Sequence, residues 1–355
     1  MSKGLPKYAV LFPSNKPNGG NRVLGIVSRS LESSGSEVTN YYVKTQNSPK
    51  FERFFRSIFV SPSFPNALGH ILSLIILSFK LRKDLNVDCV ILSDPIQAIM
   101  SPIFSNKKII RYVQSDDLSL FDSNENFGYL VKFIYKFLFH LSQRYVYKKV
   151  LFNSEFSKRK YLQSFRSKNK PSYGPVVNPP VFNSRFTNSS RPGELNSDCV
   201  AIITSNHYRK GFNTLHDIVA NSRHTNLRYL VISQSNFQFQ HSRVMYFRPR
   251  CDFQYLRALM KCRYILNLST FEGFGLPLLE GMAMGLLPIS VKNEGLNEYY
   301  DSNVIKIISS TADFDMAIEE FKDYKISSVV QSGAKKIASR FSVHNFAKSF
   351  TREIG

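Results

Sequence analysis

Glu272 and Glu280 stand eight residues apart around the run Gly273-Phe274-Gly275-Leu276-Pro277, an arrangement that builds an anion site with a carboxylate at each end. The apolar run 264–268 ahead of it reads as a buried parallel strand that delivers Ser269 to the turn. Pro277 and Gly285 bracket a short helix as its first residue and its C′ residue. Gly273 and Gly275 let the backbone approach a ligand without a Cβ in the way. The free N–H groups and positive dipole end of the helix favour phosphate. Glu272 before the helix and Glu280 one turn inside it then reach opposite ends of one extended ligand.

A site of this kind needs a sheet to hold it. The first half alternates apolar runs at 8–12, 38–43, 88–92, 108–113 and 149–153 with helical stretches, one of them opened by Gly19-Gly20 and running through Leu31. That alternation predicts a parallel, doubly wound sheet. From Ser167 to Ser197 the chain gathers five prolines among many Asn and Ser residues, the profile of a linker. The alternation then resumes with runs at 199–203, 229–232, 244–247, 264–268 and 287–291. The expectation is an α/β protein of two Rossmann-like domains, 1–180 and 181–335, with a helix in 336–355 packing back on the first.

Length and charge agree with that plan. A chain of 355 residues exceeds what one core usually holds, so two domains of roughly 150 to 180 residues are expected. Lys and Arg number 47 against 26 Asp and Glu, and the net charge of +21 implies an anionic partner: nucleic acid, an acidic membrane or a nucleotide diphosphate. The cations are scattered and carry no helix-turn-helix, RRM or zinc signature, so nucleic acid is not the expected partner. Cys89, Cys199, Cys251 and Cys262 lack metal spacing and read as reduced core thiols of a cytosolic protein. Met1–Lys7 leads straight into a strand with no secretory h-region, and the longest apolar run, Ile71–Phe79, is far below the roughly 20 residues of a spanning helix.

The string Glu272-Gly273-Phe274-Gly275-Leu276-Pro277 with Glu280 resembles the signature of family 4 glycosyltransferases of the GT-B fold. The resemblance implies two Rossmann-like domains facing a central cleft, and retaining transfer of a sugar from a nucleotide-diphosphate-sugar to a hydroxyl acceptor. It implies no cofactor, no essential metal and no enzyme nucleophile. By the same resemblance Glu272 lies by the donor sugar, the amides of Gly273 to Leu276 meet sugar and phosphate, and Glu280 binds the ribose.

Arg209-Lys210-Gly211, in the first strand-to-helix turn of the second half, reads alone as a solvated basic turn. The resemblance makes it the diphosphate clamp, where a fixed cation holds charge developing on the leaving group. The family arginine five residues before the lysine falls here at Ser205, and Arg209 is its candidate replacement. Pro17-Asn18-Gly19-Gly20 is similar to the family's N-terminal glycine loop, which reaches towards the phosphates and acceptor. On the acceptor side the candidates are Asp116, with Gln114, Ser115, Asp117 and Asp94 nearby in sequence; Asp116-Asp117 serves equally well as a helix cap.

Two stretches, Phe51–Lys83 and Phe127–Lys149, mix aromatic, aliphatic and basic residues, among them Lys132 and Lys136. They are either core helices with a solvated face or a peripheral face for an anionic membrane, and the second suits a lipid-linked acceptor. Single histidines there, His70 and His140, read as structural. A bacterial surface-glycan enzyme, cytoplasmic or peripheral on the inner face of the plasma membrane, is the resulting expectation. A sugar-nucleotide epimerase, a basic nucleic-acid-binding protein and a non-catalytic subunit remain as alternatives.

Overall fold

The computed structural model describes residues 6–13, 19–43, 57–61, 66–84, 86–117, 129–142, 147–164, 173–181, 196–204, 208–234 and 239–354. The chain divides into two compact units, one of residues 1–178 with 346–355 and one of residues 179–345.

In chain order the first unit comprises β1 (Tyr8–Phe12), α1 (Gly19–Ser33), β2 (Val38–Val43), β3 (Ser57–Ser61), α2 (Asn66–Lys83), β4 (Cys89–Leu92), α3 (Pro95–Met100), β5 (Lys108–Val113), α4 (Tyr129–Ser142), β6 (Lys149–Phe152), α5 (Glu155–Ser164) and β7 (Tyr173–Val176). Its seven parallel strands run β3-β2-β1-β4-β5-β6-β7. The central strands β1 and β4 are buried along their whole length, which is why they are continuously apolar rather than alternating. Beside them, α1 turns Val23, Leu24, Val27 and Leu31 inward.

Two features differ from the expectation. The stretch 51–83 holds strand β3 as well as helix α2, and the stretch 167–197 is not only a linker, because β7 lies inside it. Pro175 within β7 hid that strand; proline is tolerated there because β7 is the sheet edge, where no ladder hydrogen bond is needed on the outer side.

The second unit comprises β8 (Asn196–Ile203), α6 (Phe212–Asn221), β9 (Arg228–Ile232), β10 (Val244–Phe247), α7 (Asp252–Leu259), β11 (Cys262–Asn267), α8 (Leu276–Ala283), β12 (Leu287–Val291), β13 (Lys306–Ile308), α9 (Thr311–Glu320) and α10 (Tyr324–Ser339). Its six parallel strands run β10-β9-β8-β11-β12-β13. Helix α10 crosses the expected boundary at 335 without a break, since Val330, Ala334, Ile337 and Ala338 form one buried stripe. The last helix, α11 (Val343–Ile354), supplies Phe346 and Phe350 to the first unit. There Phe350 meets Tyr112 edge-on at 5.7 Å, and Lys149 pairs with Glu353 at 2.8 Å.

Both sheets share a topological feature that positions ligands. From β1 the chain winds outward through β2 and β3, then returns to the other side at β4; from β8 it winds through β9 and β10, then returns at β11. The carboxyl ends of β1 and β4, and of β8 and β11, therefore flank switch points where connecting turns part and leave a crevice.

Candidate functional site

Apart from Gly19 and Gly20, which lie in the first unit, the sequence-derived donor residues lie at the switch point of the second unit. Strand β8 leads to Thr204 and then to a short 3-10 turn, Tyr208–Lys210, while β11 leads to Ser269 and the glycine turn. Because these strands are neighbours, Lys210 Nζ reaches Glu272 Oε1 at 2.6 Å. The lysine side chain is 35% exposed and the glutamate 14%, so the pair stands at a solvent-facing rim rather than in the core.

Hydrogen bonds tie the two turns together. The Arg209 carbonyl accepts from Thr270 N at 2.9 Å and from Ser269 Oγ at 3.2 Å, and the Lys210 carbonyl accepts from Thr204 Oγ1 at 2.8 Å. The Arg209 guanidinium lies over the Phe271 ring at 4.7 Å. Gly211 has φ +69°, and a Cβ there would sit 2.2 Å from the Leu268 carbonyl oxygen, so only glycine lets the basic turn approach β11 this closely. Ser205 lies outside the described residues.

Gly275, with φ +84°, is the N-cap of α8. Pro277 is consequently the second helical residue rather than the first, and Gly285 follows the C-cap Met284 with φ +81°. The Tyr299 hydroxyl donates to the Gly275 carbonyl at 3.0 Å and fixes the turn that presents the first helical amides. Phe274 is buried against Tyr299 and Phe341, at 5.7 and 5.3 Å between ring centres. Its side chain thus braces the turn, and only its backbone can serve a ligand.

Glu280 is only 4% exposed, and the Tyr255 hydroxyl donates to its Oε2 at 2.5 Å. That bond aims a carboxylate which the helix alone would leave free to rotate. Nothing in the sequence marked Tyr255, which comes from α7. Asn293, after β12, was likewise unmarked, and its amide donates to the Ser269 carbonyl at 3.1 Å. Three successive strand exits are thereby joined around the Ser269 turn.

In the first unit, Gly19 and Gly20 form the first turn of α1 directly after the segment that follows β1. The Gly20 carbonyl accepts a long hydrogen bond of 3.4 Å from Gln114, whose own carbonyl accepts from Asn153 at 2.6 Å. Pro17 and Asn18 lie outside the described residues. Asp94 is accounted for as the N-cap of α3, accepting from Ile96 N and Gln97 N. Asp117 is buried in an ion pair with Arg111 of β5, and the segment 118–128, where a helix for it to cap would begin, lies outside the described residues. Burial pushes the Asp117 carboxyl up to about 6 against the pull of Arg111, with Asp94 and Asp116 adding to the rise. Asp116 is half-buried beside this pair at the exit of β5.

Cys89, Cys199 and Cys262 are buried as expected of core thiols, but Cys251 is exposed ahead of α7. Among the described residues no group of three or more His, Cys, Asp or Glu side chains is placed to hold a metal ion, and no helix is long and apolar enough to cross a membrane.

No family model and no curated protein matches the sequence. Solved structures do match it over nearly its whole length. Anabaena HepE in complex with UDP and glucose superposes with a TM-score of 0.74 at 18% identity, covering 98% of each chain. Sucrose-phosphate synthase from Thermosynechococcus elongatus gives 0.74 at 14% identity, again over 98% of each chain. WaaG, a glycosyltransferase involved in lipopolysaccharide biosynthesis, gives 0.74 at 14% identity over 98% of this chain and 100% of its own. Likeness at this level of identity is one of architecture, and together with the two parallel sheets it establishes that the chain has the GT-B fold.

Proposed function

We propose that the protein is a retaining family 4 glycosyltransferase that moves a sugar from a nucleotide-diphosphate donor to a hydroxyl acceptor. One observation carries the reading: Lys210 and Glu272 meet at 2.6 Å at the exits of adjacent strands, beside a helix amino terminus that also carries Glu280. Such a site offers a cation and helix amides to a diphosphate, and carboxylates to the hydroxyl-bearing groups on either side. HepE, of the same fold, was solved with UDP-glucose, which supports a nucleotide sugar as the ligand.

In this reading Glu280, aimed by Tyr255, accepts hydrogen bonds from the ribose, and Glu272 serves the transferred sugar. Lys210, Arg209 and the amides of the Gly275 turn stabilise the diphosphate as it leaves. The acceptor hydroxyl attacks from the face the diphosphate vacates, which retains the anomeric configuration without an enzyme nucleophile. Asp116, near the exit of β5, is the candidate for the acceptor side.

The acceptor we infer is a lipid-linked or polysaccharide precursor of a bacterial surface glycan, reached from the inner face of the plasma membrane. Helix α4 supports this part of the reading. Tyr129, Phe133, Ile134, Phe137, Leu138 and Leu141 are exposed on it, alongside Lys132 and Lys136, while Phe139 alone among its described large residues is fully buried. Aromatic and aliphatic groups beside lysines suit an anionic lipid interface.

A donor screen tests the function. Nucleotide-diphosphate release is measured for a panel of nucleotide sugars with a lipid-linked acceptor, and with each donor alone. Release that requires acceptor is expected for one donor class. Conversion of the donor sugar without acceptor would identify an epimerase instead, and absence of both would sink the enzymatic reading.

A further inference from the structure

Sulfur chemistry is built into the sheet of the second unit, apart from Lys210 and Glu272. Cys199 lies in β8 and Cys262 opens the neighbouring β11, and their Sγ atoms are 2.9 Å apart. An irregularity of register produces this contact. Val200 faces Tyr264 and Ile202 faces Leu266, but Cys262 faces Asn196, so four residues of β8 advance where β11 advances two. The bulged segment carries Cys199 against Cys262. The separation is within about an ångström of the roughly 2.05 Å of a disulfide bond, so bond formation needs only a small side-chain movement.

Charge on the other flank favours reaction. Cys199 faces Arg228 across the β8–β9 ladder. The Cys199 thiol is held below its usual pKa, first by its hydrogen bond with Cys262 and, against the effect of burial, by Arg228, while the same contact and burial raise Cys262. Of the two sulfurs, Cys199 is the one that a neighbouring cation favours as nucleophile.

We propose that Cys199 and Cys262 are a redox-active dithiol that a small two-electron oxidant of the peroxide class closes to a disulfide across β8 and β11. The Cys199 thiolate attacks one peroxide oxygen, the O–O bond breaks, and a sulfenic acid forms with release of hydroxide. The Cys262 sulfur then attacks Cys199 Sγ; the S–O bond breaks, the S–S bond forms, and the hydroxyl leaves as water with the Cys262 proton. The released hydroxide takes up the proton that Cys199 gives up on ionising, so two thiols lose two electrons and hydrogen peroxide is reduced to two waters. The proposal does not depend on the reaction assigned to the site at the other end of these strands.

Thiol mapping on the full chain tests it. The wild-type protein is treated with hydrogen peroxide, unfolded in iodoacetamide and digested without reductant. A peptide pair joined through Cys199 and Cys262 is expected, with an intact mass lower by two hydrogens before alkylation and both thiols restored by dithiothreitol. Cys251→Ser should give the same bridge, because the exposed Cys251 takes no part. Alkylated thiols at both Cys199 and Cys262 after a dose that oxidises Cys251, or a bridge formed through Cys251 or Cys89, overturns the proposal. The decisive readout is made on the wild-type chain, so the folding of a variant does not enter it.

Discussion

Lys210 Nζ meets Glu272 Oε1 at 2.6 Å, and this contact joins two strand-to-helix turns that lie 62 residues apart in the chain. It places a cation of one turn beside the first carboxylate of the other, at the point where the sheet's winding reverses.

Lys210→Ala should lower kcat on the order of 100-fold or more, because a preorganised charge facing the leaving group is lost. Glu272→Gln should also slow turnover, with far-ultraviolet circular dichroism unchanged in both. Arg209→Ala separates two roles: a fall comparable to that of Lys210→Ala makes the guanidinium a second clamp, and wild-type rates leave it packed on Phe271 alone. Initial rates of nucleotide-diphosphate release measure all three.

Glu280→Gln should act on donor affinity more than on kcat. A hydrogen bond to a charged group contributes roughly 1.5 to 3 kcal/mol, equivalent to about ten- to a hundredfold in KM. Tyr255→Phe removes the hydrogen bond that aims the carboxylate and should lower the same affinity by less than Glu280→Gln does. Titration calorimetry with the nucleotide diphosphate checks both, and equal affinity in the two variants and wild type would remove Glu280 from the site.

Gly211→Ala should destabilise the second unit, because alanine would take φ +69° with its Cβ driven towards the Leu268 carbonyl. Forcing a non-glycine residue into the left-handed region costs on the order of 1 to 3 kcal/mol before any clash. Urea denaturation should show the loss, accompanied by weaker donor binding because the Lys210 turn can no longer close on β11.

Asp117→Ala removes the buried acceptor to which Arg111 donates and leaves the guanidinium unpaired, which should cost about 3 to 5 kcal/mol. The folded protein takes up a proton on Asp117 near pH 6, above the ordinary 3.8, while the pairing itself raises the Arg111 pKa and keeps the guanidinium charged. Where the folded state binds more protons than the unfolded one, stability falls as pH rises. The contribution of Asp117 should therefore be largest below about pH 4, decline through the window to about 6, and level off above it. The difference between wild-type and Asp117→Ala unfolding free energies across that window isolates the group.

Charge reversal at Lys132 and Lys136 together should weaken sedimentation with anionic vesicles at low salt and leave nucleotide binding intact. Each lysine near such a surface contributes about 1 kcal/mol, screened by salt. Neutral vesicles should bind the wild-type protein poorly. Failure of the wild-type protein to sediment with anionic vesicles would make the acceptor a soluble one.

Much of this was legible in local sequence. Apolar runs such as Tyr8–Phe12 and Tyr264–Leu268, and the glycine and proline that punctuate the turn before α8, declare strand, turn and helix because they depend on backbone periodicity and on φ preferences alone. The motif from Glu272 to Glu280 was readable for the same reason, since strand, turn and helix are contiguous. Tertiary structure alone decided what depends on strand order. Sheet pairing of β8 with β11, chosen to bury apolar surface over the whole unit, brought Lys210 to Glu272 and Cys199 to Cys262. Helix packing put Tyr255 under Glu280, and burial paired Asp117 with Arg111. Contacts of this range carry no local period, because they are fixed by which arrangement of elements excludes water from both faces of a parallel sheet.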